Sequence, residues 1–164
     1  MVEFFRRLSA YLDQINRFLL FLTIVAMTVF ITLQIIFRVF FTALSWTEEL
    51  SRYLLVWSSF IGATVAFKKG AHISITFLLD IFSPRNRKIL CTLSMLLMAI
   101  FFLVSIWYGF LLIKLQALQT SPAIGLKMRY IYTIIPVSFL TMLVHLWYEF
   151  LQLWFVKKTS EVRV

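Results

Sequence analysis

The chain has 164 residues, of which 62% are hydrophobic, 18% aromatic and only 14% charged, with a net charge of +9. Its mean hydropathy is +0.92, and a soluble domain carries about 25% charged residues, so an ordinary water-soluble globule is excluded. The apolar runs are continuous and do not alternate, which argues against an outer-membrane β-barrel and leaves an all-α integral membrane protein as the expected fold class.

Met1 to Asn16 mixes apolar and charged residues. Phe4, Phe5, Leu8, Leu12 and Ile15 recur at helical spacing against Arg6, Arg7, Asp13 and Gln14. Two readings stay open for residues 1–16: an amphipathic helix lying in the interface, or an extension of the first span. No cleavable signal is expected, because the first apolar run is too long for a signal h-region and lacks a small-residue cleavage site.

Four membrane spans are expected within residues 17–156, at 18–41, 48–67, 89–114 and 130–156. Each is long enough to cross a hydrocarbon core of about 30 Å as helix. A tail, 157–164, follows. The first span holds Gln34 and Arg38 near one end, where Arg can snorkel to the headgroups. The third and fourth exceed the minimum length and are expected to tilt. Pro136 is placed to kink the fourth. No internal repeat is visible.

Lys and Arg cluster on one side. That side takes Arg6, Arg7 and Arg17, then Lys68, Lys69, Arg85, Arg87 and Lys88, then Lys157, Lys158 and Arg163. The other side holds Arg38, Arg52, Lys114, Lys127 and Arg129. The positive-inside rule therefore puts both termini in the cytoplasm and the 42–47 and 115–129 connections outside. The same distribution turns the net charge toward anionic lipid headgroups and away from nucleic acid. The single cysteine, Cys91, permits no internal disulfide and no redox pair.

Chemistry-bearing residues concentrate around the second span. Ser45 and Glu48 have capping-box spacing, Ser45 as N-cap and Glu48 at N3. Glu48 and Glu49 precede Arg52 by four and three residues, so either can pair with it. Arg38 stands at the same outer end of the first span. These four residues read as a structural ion cluster, a docking point for an outer partner, or a relay. Ser58, Gly62 and Ala66 follow at i, i+4 and i+8, flanked by Ser59 and Ala63. Small residues at this spacing let helix backbones approach closely, within the chain or against another chain. Lys68, Lys69 and Gly70 read as a helix stop, followed by a surface-hugging Ile73–Phe82 segment. His72 and His145 are the only histidines, and a haem anchor would have to use them. His145 and Glu149 stand one turn apart. Trp107, Tyr108, Tyr130, Tyr132, Trp147, Tyr148 and Trp154 read as interfacial anchors. The outer connection Thr120–Leu126 is turn-rich and apolar, and suits contact with a partner.

No nucleophile–base pair, phosphate loop or metal-ligand cluster points to an enzyme, and no cofactor is expected. No charged residue lies near the centre of the second or third span. A lone pump would be expected to hold an ionisable residue near mid-membrane.

Trp46-Thr47-Glu48-Glu49, then Arg52, Trp57, Gly62-Ala63, Ala66 and Gly70-Ala71-His72-Ile73, together resemble the core pattern of the small, DctQ-type membrane subunit of tripartite ATP-independent periplasmic (TRAP) transporters. Ser121-Pro122-Ala123-Ile124-Gly125-Leu126 with Tyr132 and Ile135-Pro136 resembles that family's outer loop and fourth-span entry. The likeness runs from about Phe18 to Trp154. Lys127 departs from it where members often have Pro, and Ser138 where they often have Gly.

The resemblance implies a non-catalytic scaffold subunit in the bacterial inner membrane. It would pair with a large membrane subunit that imports an organic anion with sodium, the anion being a dicarboxylate, another carboxylate or a sialic acid delivered by a periplasmic binding protein. It also implies that Glu48, Glu49 and Arg52 shape the outer surface, that Trp57, Gly62 and Ala63 pack within or between subunits, and that Lys68, Lys69 and His72 sit at the inner headgroup level. It transfers no substrate-binding residue. Two other functions remain: a self-sufficient homo-oligomeric transporter or channel, and a haem-binding anchor.

Overall fold

The computed structural model describes residues 2–42, 44–79 and 84–155, with side chains of 71–79, 84–87 and 155 left aside. It contains five helices: α1 (Val2–Phe40), α2 (Ser45–Leu79), α3 (Pro84–Leu115), α4 (Met128–Tyr132) and α5 (Ile134–Phe155). Four stretches are long and apolar enough to cross a membrane: Val2–Phe40, Ser45–Gly70, Lys88–Leu115 and Met128–Trp154. The all-α, four-span expectation is met.

Helix α1 is unbroken over 39 residues. At a rise of 1.5 Å per residue it is roughly 58 Å long, well beyond the thickness of a hydrocarbon core. The helix runs without a break from the N-terminal turns into the first span. Burial in those turns is mixed. Ser9 and Asp13 are buried and Phe4, Tyr11 and Phe18 are each 65% exposed, while Arg6, Arg7, Gln14 and Arg17 are exposed and Phe5, Leu8 and Leu12 half-buried.

Helix α2 also outruns its expected end. The backbone stays helical through Lys68, Lys69 and Gly70 to Leu79. A Gly terminates a helix by taking a left-handed φ, and among the described residues only Gly125 has a positive φ. Gly70 is therefore an interior helix residue. The reading of Ile73–Phe82 as a surface-hugging segment changes accordingly: as far as Leu79 it is helix. At the other end, α2 begins at Ser45 itself. The expected Ser45 capping bond is not formed, and the Thr47 hydroxyl instead donates to the Leu44 carbonyl at 2.8 Å.

α1 and α2 form an antiparallel hairpin. Leu20 faces Gly62, and Phe30 packs edge-on to Trp46. Helix α5 is the hub. Half of its most apolar window is buried, against 6% for α1, and it touches α1, α2 and α3. Met95 and Phe102 of α3 pack with Met142 and Leu146 of α5. The Phe102 ring lies 5.3 Å from Phe67 and 5.8 Å from Phe139, so this cluster joins α2, α3 and α5. α3 and α5 approach closely at Gly109, where an added Cβ would lie 3.1 Å from Pro136 Cδ.

The fourth span is broken where Pro136 demands it. Proline has no amide hydrogen, and its ring clashes with the carbonyl four residues back, which is Tyr132. α4 ends at Tyr132, and α5 starts after Thr133. The Trp57 indole N–H donates to the Ile131 carbonyl at 3.1 Å beside this break. Trp57 thus pins α2 to the α4–α5 joint.

Candidate functional site

Two polar centres occupy opposite ends of the bundle. The one at the end expected to lie outside, the outer centre, is built on the first turns of α2. Arg52 pairs with Glu48 one turn away, and the Arg52 side chain is 73% exposed. Glu49 points elsewhere. Its Oε1 accepts from the Tyr53 hydroxyl at 2.5 Å. Its Oε2 accepts from the backbone amides of Ala123 at 2.9 Å and Ile124 at 3.1 Å. One carboxylate therefore holds two successive amides of the outer loop. Charge-assisted bonds of this kind are about twice as strong as neutral ones.

The loop is also tied to itself. Ser121 N–H donates to Leu126 O at 2.8 Å, Gly125 N–H to Ser121 O at 3.0 Å, and Met128 N–H to Gln119 O at 2.9 Å. Gly125 sits at φ +73°, a conformation that strains a residue with a Cβ. Ser121 is buried, while Leu118, at 96% exposure, stands out from the loop. The result is a fixed outer platform with an apolar rim, beside the exposed Glu48–Arg52 pair. Arg38 is exposed and among the described residues joins neither Glu48 nor Glu49. Its part in the expected cluster is therefore not realised.

The small-residue stripe divides between two surroundings. Gly62 faces Leu20 inside the α1–α2 hairpin, where an added Cβ would make ordinary contact with Leu20 Cδ1 at 3.6 Å. Ser58 is half-buried and donates to Leu55 O at 3.0 Å. Ala63 and Ala66 are exposed, as are Leu55 and Ser59. These four share a second face of α2, directed away from the rest of the chain.

The inner centre gathers residues that sequence reasoning kept apart. Lys68 donates to the Ser9 carbonyl at 2.9 Å and lies 3.5 Å from Asp13 Oδ2. Arg17 meets the same oxygen at 2.7 Å. Ser9 Oγ lies 2.8 Å from His145 Nδ1. Lys68 is drawn onto α1, and Lys69 is exposed. The side chain of His72, the tail 157–164 and the side chains of Arg85 and Arg87 lie outside the described residues. His145 bonds to Ser9, 136 positions away, and not to its neighbour Glu149. Only the buried polarity of Ser9 and Asp13 on one helix face signals this centre, and a serine–aspartate pair at i, i+4 in a basic segment is easily taken for a solvated face.

His145 does not fit as a haem ligand. An axial histidine must present a ring nitrogen to an open slot wide enough for the macrocycle. His145 is 1% exposed, and its Nε2 is fully enclosed.

The family described as Tripartite ATP-independent periplasmic transporters, DctQ component, matches residues 27–156. The chain belongs to that family. It is thus a TRAP transporter subunit and a multi-pass membrane protein. A TRAP transporter small permease protein of Haemophilus influenzae is 29% identical over 122 residues, 74% of this chain and 76% of the relative. The isethionate TRAP transporter permease protein DctMQ of Oleidesulfovibrio alaskensis is 34% identical over 107 residues, 62% of this chain and 16% of that protein. The sialic acid TRAP transporter permease protein SiaT of Haemophilus influenzae is 27% identical over 106 residues, 65% and 17% respectively. The DctQ unit therefore corresponds to a minor part of these two longer permeases. The resemblance seen in Trp46–Ile73 and Ser121–Pro136 is a family relationship. Lys127, where members often have Pro, has φ −69°, within the range proline imposes.

Proposed function

We propose that this DctQ chain is a non-catalytic scaffold subunit of a sodium-coupled importer of an organic anion. It pairs with a large membrane subunit that carries the substrate, and a periplasmic binding protein delivers that substrate to the outer face. Sialic acid and isethionate permeases among its relatives support an anionic substrate, carboxylate or sulfonate. The chain resides in the bacterial inner membrane with both termini cytoplasmic.

One observation carries the reading. The Asp, Glu, Lys and Arg side chains of the bundle gather toward its two ends, Glu48, Glu49 and Arg52 at one and Asp13, Arg17, Lys68 and Glu149 at the other. His145, nearer mid-span, is enclosed and bonded to Ser9. A subunit that translocated an anion or sodium by itself would need polar ligands at depth. The exposed face of α2 (Leu55, Ser59, Ala63, Ala66) suits close packing with a helix of the large subunit. The platform formed by Glu48, Arg52 and the 119–127 loop suits contact with the binding protein.

The decisive experiment is reconstitution. The chain alone in proteoliposomes is expected to import no substrate, and the chain with its large subunit and binding protein to import it in a sodium gradient. Sodium-driven uptake by the chain alone would overturn the scaffold reading. Orientation is tested by thiol labelling from outside in a Cys91→Ser background: Leu118→Cys is expected to react and Glu3→Cys to be protected until the membrane is opened.

A further inference from the structure

Three polar atoms at the inner end of the bundle are enclosed and meet no partner among the described residues: His145 Nε2, Asp13 Oδ1 and Asn16 Nδ2. Buried polar groups are nearly always satisfied, so each needs a partner. His145 is 1% exposed and Asp13 7%, which leaves bulk solvent no access. Both cations that reach Asp13 use its Oδ2, so Oδ1 awaits a different donor.

The helix geometry brings these atoms toward one another. Asp13 and Asn16 follow Ser9 at i+4 and i+7, on one face of α1. α1 and α5 run in opposite directions, and helical side chains lean toward their own N-terminus. Asp13 and Asn16 therefore lean back toward Ser9, while His145, held at Ser9, leans toward Asp13. The charges of Asp13 and Lys68 both act on the His145 ring.

The proton on the ring can be placed. Ser51, Ser59, Thr64 and Thr141 each donate their hydroxyl to the carbonyl four residues back. Ser9 makes no such bond, and its hydroxyl meets only His145 Nδ1. A Ser9 that accepted from Nδ1–H would leave its own hydrogen without an acceptor. Donation from Ser9 to Nδ1 satisfies it and puts the ring hydrogen on Nε2. The unpartnered set is then two donors, His145 Nε2–H and Asn16 Nδ2–H, and one acceptor, Asp13 Oδ1. A cation cannot accept from the N–H groups, and an anion cannot face the carboxylate. Water accepts two hydrogen bonds and donates to the third group.

We infer that the inner end of the bundle encloses a structural water held by His145 Nε2, Asn16 Nδ2 and Asp13 Oδ1, and that Ser9 and this water together fix His145 as the neutral Nε2–H tautomer. The water completes a polar joint between the N-terminal turns of α1 and the middle of α5. This goes beyond the scaffold reading and is independent of the substrate.

The test is solid-state NMR of the full chain in lipid nanodiscs with ¹⁵N-labelled histidine, using His72→Gln so that only His145 reports. The expected spectrum shows one neutral tautomer, hydrogen on Nε2, with a through-space correlation from that hydrogen to a water proton. In Ser9→Ala the single tautomer is expected to be lost, because Nδ1 has lost its donor. A hydrogen on Nδ1, a doubly protonated ring, or an Nε2–H without a water correlation in the parent protein overturns the inference. So does an unchanged tautomer in Ser9→Ala. Should Ser9→Ala fail to fold, the parent spectrum decides alone.

Discussion

Glu49 on α2 and the backbone amide of Ala123, 74 positions later, are joined by a hydrogen bond of 2.9 Å, and the same oxygen takes the amide of Ile124. The outer loop is therefore held by a carboxylate from a different helix as well as by its own turns. Glu49→Gln keeps the size of the side chain and an oxygen for the amides of Ala123 and Ile124 but removes the charge that strengthens those bonds. Hydrogen exchange at these two amides is expected to quicken, while exchange in the centre of α5 stays unchanged. Glu48→Gln is the control. It removes only an exposed pair with Arg52, and surface pairs of this kind contribute little, so the loop amides are expected to keep their protection. Equal effects of the two substitutions would show that the platform is held by general charge and not by the Glu49 clamp.

The loop also offers a stabilising change. Lys127 has φ −69°, and its amide hydrogen takes no part in the loop's hydrogen bonds, which run through Ser121, Gly125 and Met128. Proline requires that φ and removes only that hydrogen. Lys127→Pro is therefore expected to stabilise the protein by about 0.4–1 kcal/mol through the unfolded chain, read as a higher midpoint in thermal unfolding in detergent. A lower midpoint would mean that the Lys127 amide or side chain has a role outside the subunit.

What the sequence disclosed divides along the same lines. The spans were legible because about 20 consecutive apolar residues carry their own signature. The α4–α5 break was legible in Pro136, because proline acts locally. The Glu48–Arg52 pair was legible from spacing. The second role of Glu49 was not, since nothing in a local pattern says which of two adjacent carboxylates will turn toward a loop 74 positions away. Nor was the inner centre: Ser9, Asp13, Lys68 and His145 come from three helices, and only the packed bundle puts them together. The end of α2 was misread because Lys-Lys-Gly is stop chemistry only if the glycine turns left-handed, and Gly70 does not.

The glycines make contrasting tests of packing. A Cβ at Gly109 would press on Pro136 Cδ at 3.1 Å and Cβ at 3.4 Å, part of a ring that cannot swing aside. Gly109→Ala is expected to cost about 1–3 kcal/mol by overpacking, offset in part by the better helix propensity of Ala. Gly109→Leu is expected to separate α3 from α5. At Gly70 nothing lies within 4 Å of the added carbon, and Gly70→Ala is expected to stabilise α2 by about 1 kcal/mol. Thermal midpoints of the two alanine variants should thus move in opposite directions. Movement in the same direction would disprove the close α3–α5 approach at Gly109.

The inner ion cluster separates stability from specificity. Lys68 has a side chain 21% exposed and Asp13 one 9% exposed, at 3.5 Å, with Arg17 sharing the carboxylate from a more exposed position. Removing one member strands the other in a poorly solvated place. Asp13→Asn is expected to cost about 1–3 kcal/mol, because Lys68 then keeps only the Ser9 carbonyl. Lys68→Met is expected to cost less, since Arg17 still neutralises Asp13. The double variant Asp13→Asn/Lys68→Met leaves neither charge unpaired, and its loss is expected to be smaller than the sum of the two singles. That non-additivity is the diagnostic quantity. Additive losses would mean that the two side chains stabilise α1 separately, Asp13 through Arg17 and Lys68 through Ser9, and that the helices are joined at this end by backbone and serine contacts without a direct charge pair.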